Sequence, residues 1–356
     1  MDKFKVMFLG YSGSGKTYLQ GSFFKLASET GSKGISLQSL KFNEETSIQK
    51  AFEAIAGQNQ NFQIPTTMNT QTSDMILKKG INELLQIDIT DIEGQAIEPG
   101  RNVEVSERIL SEIHTYDCLI LVIEYPTDEL ALQTAKQELG QLLNFAGKAL
   151  AKNPKIPLTL VINKIDKVSN SAQIKSKSDQ EISTLEQELI KKYPNNLGRA
   201  VNELKQKKGA ILNKQVKPLV NNKLIWELCE QYFVLLRNSS TNIFGKVFFA
   251  SSLGFGSSDN NIQNIQVKDY LRIYKPYGGV AAFLWTIYAR LAMQTTGGTN
   301  SNLEIDMPIT QLIEDLRSDL QELHTTGQAY FDPDDNDSEN IWALRNSVAF
   351  RAGIDN

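Results

Sequence analysis

The first apolar run of the chain, residues 4–9 (FKVMFL), is broken only by Lys5 and ends at Gly10. A short run of bulky residues closed by glycine predicts a buried strand feeding a turn, and a helix is expected to follow from residue 16 to about 27. Residues 28–65 are polar, with helical character around 48–55, and are expected to lie outside the central sheet. The segments 74–79 and 83–90 read as two strands joined at Gly80-Ile81-Asn82, with Ile87 and Ile89 on one face. Residues 116–124 and 156–162 are further buried strands, separated by a helix from about 128 to 152. Strands alternating with helices predict an α/β class with a doubly wound, mostly parallel sheet covered on both faces.

Between residues 166 and 246 the chain is rich in Lys, Gln and Asn, and its apolar residues keep helical spacing: Ile182, Leu185 and Leu189, later Leu224, Leu228, Phe233 and Leu236. A last buried strand at 247–250 precedes SSLGFGSS, a loop to about residue 264, and an apolar helix over 279–293. TTGGTNSN at 295–302 reads as a linker. Beyond it Asp306 is placed as an N-cap with Pro308 in the first turn, and Leu312, Leu316, Leu320 and Leu323 form one helical stripe. This pattern divides the chain into an α/β domain over 1–294, carrying a helical insertion at 169–242, and an acidic linker with a C-terminal helical tail over 295–356.

Composition narrows the class. A chain of 356 residues, 41% hydrophobic and 22% charged, is long enough for a large core and is neither fibrous nor disordered in profile. Cys118 and Cys229 cannot make a disulfide framework, and no export signal or run of ~20 apolar residues stands out, so a cytoplasmic location is expected. The net charge of −4 argues against nucleic acid as the main ligand. It conceals an asymmetry: residues 148–217 hold 15 Lys and Arg against 6 Asp and Glu, a net of +9, whereas residues 295–356 hold 3 against 12, a net of −9. Lys205, Lys207, Lys208, Lys214 and Lys217 make the insertion basic. It reads as a solvated helical face or as a docking surface for an acidic partner, lipid headgroups or the chain's own acidic tail. Asp332-Pro-Asp-Asp-Asn-Asp lacks the sixth-position Gly and acidic twelfth residue of a calcium loop, and His114 and His324 have no ligand neighbours at metal spacing.

The chemistry concentrates in three short segments. Gly10-Tyr11-Ser12-Gly13-Ser14-Gly15-Lys16-Thr17 fits G-x-x-x-x-G-K-[ST] between a strand and a helix. Such a loop closes backbone N–H groups around phosphates at the positive end of a helix dipole. Lys16 is placed on the β and γ oxygens and the Thr17 hydroxyl on Mg²⁺. The nucleotide-contacting set is Gly10, Ser12, Gly13, Ser14, Gly15, Lys16, Thr17 and Tyr18. Asn163-Lys164-Ile165-Asp166 directly follows a buried strand. It matches N-K-x-D and so resembles the guanine-reading motif of GTPases, in which the carboxylate at Asp166, an acceptor-only group, would pair with the N1–H and 2-amino donors of guanine, which adenine lacks. Leaving it desolvated and unpaired costs roughly 1–3 kcal/mol, so ATP is expected to be rejected at least about tenfold. Asp91-Ile92-Glu93-Gly94-Gln95 ends another strand.

The phosphate loop resembles those of ABC-type ATPases and of GTPases alike. D-x-x-G-Q resembles the switch II motif of Ras-type small GTPases, and N-K-x-D matches the guanine-reading motif of GTPases, so the chain is identified as a member of the TRAFAC class of P-loop GTPases. The resemblance covers roughly residues 3–166 and 246–293. It implies that Asp91 holds Mg²⁺ through water, that the Gly94 N–H senses the γ-phosphate, and that Gln95 with Lys16 serves catalysis. It further implies that Asn163 braces the phosphate loop and that the Lys164 stem covers the base. Ser251-Ser252-Leu253 resembles the S-A-[KL] loop that meets guanine O6, with Ser252 where the family usually carries Ala. The switch I threonine that completes the metal set is placed at Thr67, with Thr66 beside it, 24 and 25 residues before Asp91. SGSGKTYL and KPYGGVAAFLW look like bacterial double-GTPase-type proteins. Gly13 stands where potassium-activated GTPases carry Asn, so potassium stimulation is not expected, and Ser12 stands where Ras-type proteins carry Gly, where it would crowd an arginine finger.

The expected function is a GTP-binding switch that hydrolyses GTP to GDP slowly with Mg²⁺. Partners are expected through the switch regions, the basic insertion or the acidic tail, with peripheral membrane contact and homodimerisation left open. The rival reading is a scaffold that holds guanine nucleotide without turnover. An ATP-dependent transporter subunit would need an LSGGQ-like signature, which is missing from the chain.

Overall fold

The computed structural model describes residues 3–29, 35–39, 70–92, 94, 97, 103–167, 171–220, 223–238, 245–251, 277–296 and 309–325. Its centre is a seven-stranded sheet of order β2-β3-β4-β1-β5-β6-β7. The strands are β1 (Phe4–Leu9), β2 (Ile35–Ser39), β3 (Gln71–Lys79), β4 (Asn82–Asp91), β5 (Cys118–Glu124), β6 (Leu158–Asn163) and β7 (Gly245–Phe249). From β4 to β7 every neighbouring pair is parallel, while β2–β3 and β3–β4 are antiparallel. The β3–β4 hairpin turns at Gly80-Ile81 and places Ile81 almost fully in solvent.

Period-two alternation explains both faces. Met7 and Leu9 of β1 and Leu119, Leu121 and Ile123 of β5 point into one apolar cluster. There they meet α2 (Val103–Glu112), α3 (Glu129–Lys152) and α6 (Lys223–Asn238). Phe4, Val6 and Phe8, with Cys118, Ile120 and Val122, point into the other, against α1 (Lys16–Glu29), α7 (Gly279–Thr296) and α8 (Ile309–Thr325). Covered on both sides, β5 and β6 read as continuous apolar runs, CLILVIE and LTLVIN. The class is therefore α/β, a doubly wound, mostly parallel P-loop sheet. Within the insertion, α4 (Ser171–Lys192) and α5 (Leu197–Val220) pack against one another, and Val216 and Leu219 at the end of α5 join the first cluster.

Residues 35–39 correct one expectation. The segment 28–65 was expected outside the sheet, yet Ile35–Ser39 forms the edge strand β2, with Leu37 opposite Leu77. Five residues with two apolar positions are too short a pattern to announce a strand, and the unpaired edge of β3 supplies the hydrogen bonds. The stripe Leu312, Leu316, Leu320 and Leu323 of α8 is buried in the same cluster as Trp285 and Phe283 of α7, and Asp315 pairs with Lys79 of β3. At roughly 1.5–3 kcal/mol of gross transfer free energy for each fully buried leucine, that stripe holds α8 on the body. The helix placed at 48–55, the cap at Asp306 and Pro308, and the acidic run from Asp332 lie outside the described residues. No helix among the described residues is long and apolar enough to cross a membrane, and both cysteines are free and buried.

Candidate functional site

The strand β1 lies between β4 and β5, so the chain departs to opposite sides of it and leaves a crevice at its carboxyl end. The glycine-rich loop fills that crevice. Ser14 N–H donates to Tyr11 O at 3.2 Å to close the turn, and Leu19 N–H donates to Gly15 O at 2.9 Å to open α1. Gly13 and Gly15 both adopt a φ of 84°, where a Cβ would be strained. Lys16, 5% exposed, donates to Gly10 O and, at 3.4 Å, to Tyr11 O. Burial pushes its ammonium down from the ordinary lysine value, against the attraction of Asp91 and Glu138. An anion in the loop would relieve that desolvation. The Ser14 hydroxyl is buried and meets no hydrogen-bond partner among the described residues. Tyr18 is buried in the first turn of α1.

Asp91 ends β4 beside β1 and is fully buried. Thr17 Oγ1 donates to Asp91 Oδ2 at 2.9 Å, which brings a hydroxyl and a carboxylate together across 74 residues of chain. Both are hard oxygen donors of the kind Mg²⁺ prefers. Among the described residues no group of three or more His, Cys, Asp or Glu gathers in one place. Gly94 rests directly on the phosphate loop: a Cβ on it would lie 2.1 Å from Ser12 N and 2.7 Å from Tyr11 C.

The second loop, the one the sequence assigns to the base, follows β6. Asn163 Nδ2 donates to Ser14 O at 3.0 Å and ties the two loops together. Lys164 is the one non-glycine residue with positive φ among those described, at 63°. Its Nζ pairs with Glu124 Oε2 at 2.6 Å, and Lys167 pairs with the other carboxylate oxygen. Burial pushes the Lys164 ammonium down, partly offset by Glu124. Burial also pushes the Glu124 carboxyl up, but the hydrogen bonds from Lys164 and Lys167 outweigh it and hold the group below its ordinary value. Asp166 sits in the 3-10 turn Ile165–Lys167, buried, and accepts from Ser251 Oγ. Ser251 exchanges backbone hydrogen bonds with Tyr277 at 3.0 and 2.8 Å. Gly278 follows with φ 74°, where a Cβ would lie 1.8 Å from Phe249 O, so only glycine lets α7 begin there.

Of the residues singled out by sequence, the structure brings Gly10 to Thr17, Asp91 and Gly94 to the phosphate side, and Asn163, Lys164, Asp166 and Ser251 to the base side. Thr66, Thr67, Gln95, Ser252 and Leu253 lie outside the described residues. Two neighbours of the base loop were not singled out, Glu124 and Tyr125. Tyr125 N–H donates to Asn163 O at 2.8 Å and its hydroxyl donates to Leu219 O of α5 at 3.0 Å. The available signal was a polar pair ending the buried run of β5 beside the end of β6.

No protein-family model matches the chain, and no curated protein matches it. Similar solved structures include the signal recognition particle receptor SRb-GTP/SRX complex from Chaetomium thermophilum. It is 15% identical, with a TM-score of 0.35, over 72% of this chain and 94% of that one. The bacterial selenocysteine-specific elongation factor EF-Sec is 12% identical, with a TM-score of 0.31, over 77% of this chain but only 30% of its own. The Saccharomyces cerevisiae Ski7 GTPase-like domain bound to GTP is 11% identical, with a TM-score of 0.32, over 84% of this chain and 51% of its own.

Proposed function

We propose that the chain is a guanine-nucleotide-binding switch that hydrolyses GTP to GDP. The observation that carries the reading is the hydrogen bond from Asn163 to Ser14 O, which joins a phosphate loop to a loop carrying a guanine-complementary carboxylate. Phosphates in the loop would take Lys16 from the Gly10 and Tyr11 carbonyls. Asp166 would exchange its Ser251 partner for the two guanine donors. Thr17 and, through water, Asp91 would hold Mg²⁺, which when bound neutralises charge developing on the phosphate oxygens. Gln95 is assigned the attacking water, and the Gly94 N–H the γ-phosphate. Since Gly94 rests on Ser12, a γ-phosphate contact there would shift the segment that carries Gln95, which is the conformational output.

On this reading residues 1–294 form one nucleotide-binding unit with 169–242 inserted, and 295–356 serve as an acidic appendage. The protein is assigned to the cytoplasm, with a protein partner at the switch segments, the insertion or the tail. The resemblance of SGSGKTYL and KPYGGVAAFLW to bacterial double-GTPase-type proteins supports a role in a bacterial assembly.

The test is competition for a fluorescent GTP analogue followed by single-turnover hydrolysis. Unlabelled GTP and GDP should displace the analogue at least about tenfold better than ATP. Equal displacement by ATP would remove the assignment of Asp166. Wild type should hydrolyse GTP faster than Gln95→Leu; equal, near-zero rates leave a nucleotide-holding scaffold instead.

A further inference from the structure

The carboxylate at the end of β5 has no role in the phosphate or base chemistry described above, yet it is the residue on which the base loop closes. Glu124 stands opposite Asn163 in the parallel β5–β6 register, and the next residue, Tyr125, donates its N–H to Asn163 O at 2.8 Å. Its two oxygens are taken by Lys164, at 2.6 Å, and by Lys167. The Lys164 stem reaches the phosphate loop: a Cβ built on Gly15 would lie 3.5 Å from Lys164 Cε, so that carbon stands beside Gly15. The Lys164 backbone is held at φ 63°, a left-handed conformation that is strained for an L-residue and persists where the surroundings over-determine it. A lysine with a free end would spread over many rotamers, and its stem would not offer a fixed surface.

We propose that Glu124 is a positioning residue of the guanine site: by holding the Lys164 ammonium it fixes the Lys164 stem as the platform on which the base lies. The inference rests on the guanine-nucleotide reading above. Glu124 touches no nucleotide atom in this scheme, and it acts on affinity and residence time rather than on the phosphates. The platform meets the face of the base, whereas Asp166 meets its edge, so loss of the platform should weaken guanine and hypoxanthine nucleotides by the same factor.

The experiment measures release of a fluorescent GDP analogue from the full chain with Mg²⁺, for wild type, Glu124→Gln, Lys164→Met and the double variant. Glu124→Gln should release the analogue about tenfold faster, the scale of one lost charge-assisted interaction. Inosine diphosphate and GDP, used as competitors, should both weaken by that factor. On a Lys164→Met background the Glu124→Gln change should have no further effect, because Glu124 acts through Lys164. A role confined to holding the fold would instead lower thermal stability equally on both backgrounds and leave release unchanged. Glu124→Asp keeps the charge on a shorter arm and serves where Gln lowers stability; it should release nucleotide at a rate between the two. Tight binding by wild type with unchanged release from Glu124→Gln, or an undiminished Glu124→Gln effect on the Lys164→Met background, overturns the inference alone. Failure of wild type to bind guanine nucleotide overturns the functional reading with it.

Discussion

The phosphate loop and the loop proposed to meet the base sit at the carboxyl ends of neighbouring parts of one sheet, but they are held in opposite ways. The phosphate loop is local: Lys16 bonds carbonyls five and six residues before it, and the turn closes within Tyr11 to Ser14. The base loop is held from a distance, with Asn163 bonded 149 residues away at Ser14, Lys164 at Glu124 40 residues away, and Asp166 at Ser251 85 residues away. A loop of the first kind is a consequence of eight consecutive residues, whereas one of the second kind exists only once the sheet has formed. The contrast predicts that loss of Lys16 from the phosphate loop acts on every nucleotide, and that loss of the Asp166 carboxylate from the base loop acts on guanine nucleotides alone.

The sharpest way to break that contrast is to compare Lys16→Ala with Asp166→Asn by equilibrium titration with GTP and ATP analogues. Lys16→Ala should weaken both nucleotides about 100-fold or more, since it removes a buried cation from the phosphate oxygens. Asp166→Asn should weaken GTP about 10- to 100-fold and leave ATP unchanged. If both variants lower GTP and ATP alike, the base loop does not read the base.

A smaller effect is expected where the switch segment touches the phosphate loop. In Gly94→Ala the added methyl would come within 2.1 Å of Ser12 N and 2.7 Å of Tyr11 C, both backbone atoms that have little room to yield. The variant should be about 1–3 kcal/mol less stable in urea unfolding. Unaltered stability would mean that Gly94 does not rest on Ser12 in solution.

The smallest effect is expected in acid. Lys164 and Lys167 hold the Glu124 carboxyl below its ordinary value, against burial. A depressed carboxyl contributes stability that is full above the unfolded value, about 4.3, and is lost as pH falls through the lower folded value. The difference in urea midpoint between wild type and Glu124→Gln should therefore be constant near neutrality and shrink below about pH 4. A difference that instead grows in acid would place the carboxyl outside this ion cluster.

The sequence by itself determined the elements whose cause is local. Residues 4–9 and 118–124 are apolar on both faces, so they are central strands wherever the rest of the chain goes, and the glycine pattern at 10–17 permits few other backbones. The leucine stripe of α8 was legible for the same reason, as one face of a 3.6-residue period. Only the tertiary structure decided the rest. Ile35–Ser39 became a strand because β3 offered an open edge, not because five residues demanded it. Asp91 reached Thr17 because β4 pairs with β1 rather than with β5, and strand order is a property of packing. Glu124 looked like the polar end of a strand until β6 laid Lys164 and Lys167 against it, since pairing between distant charges leaves no trace in the pattern along the chain.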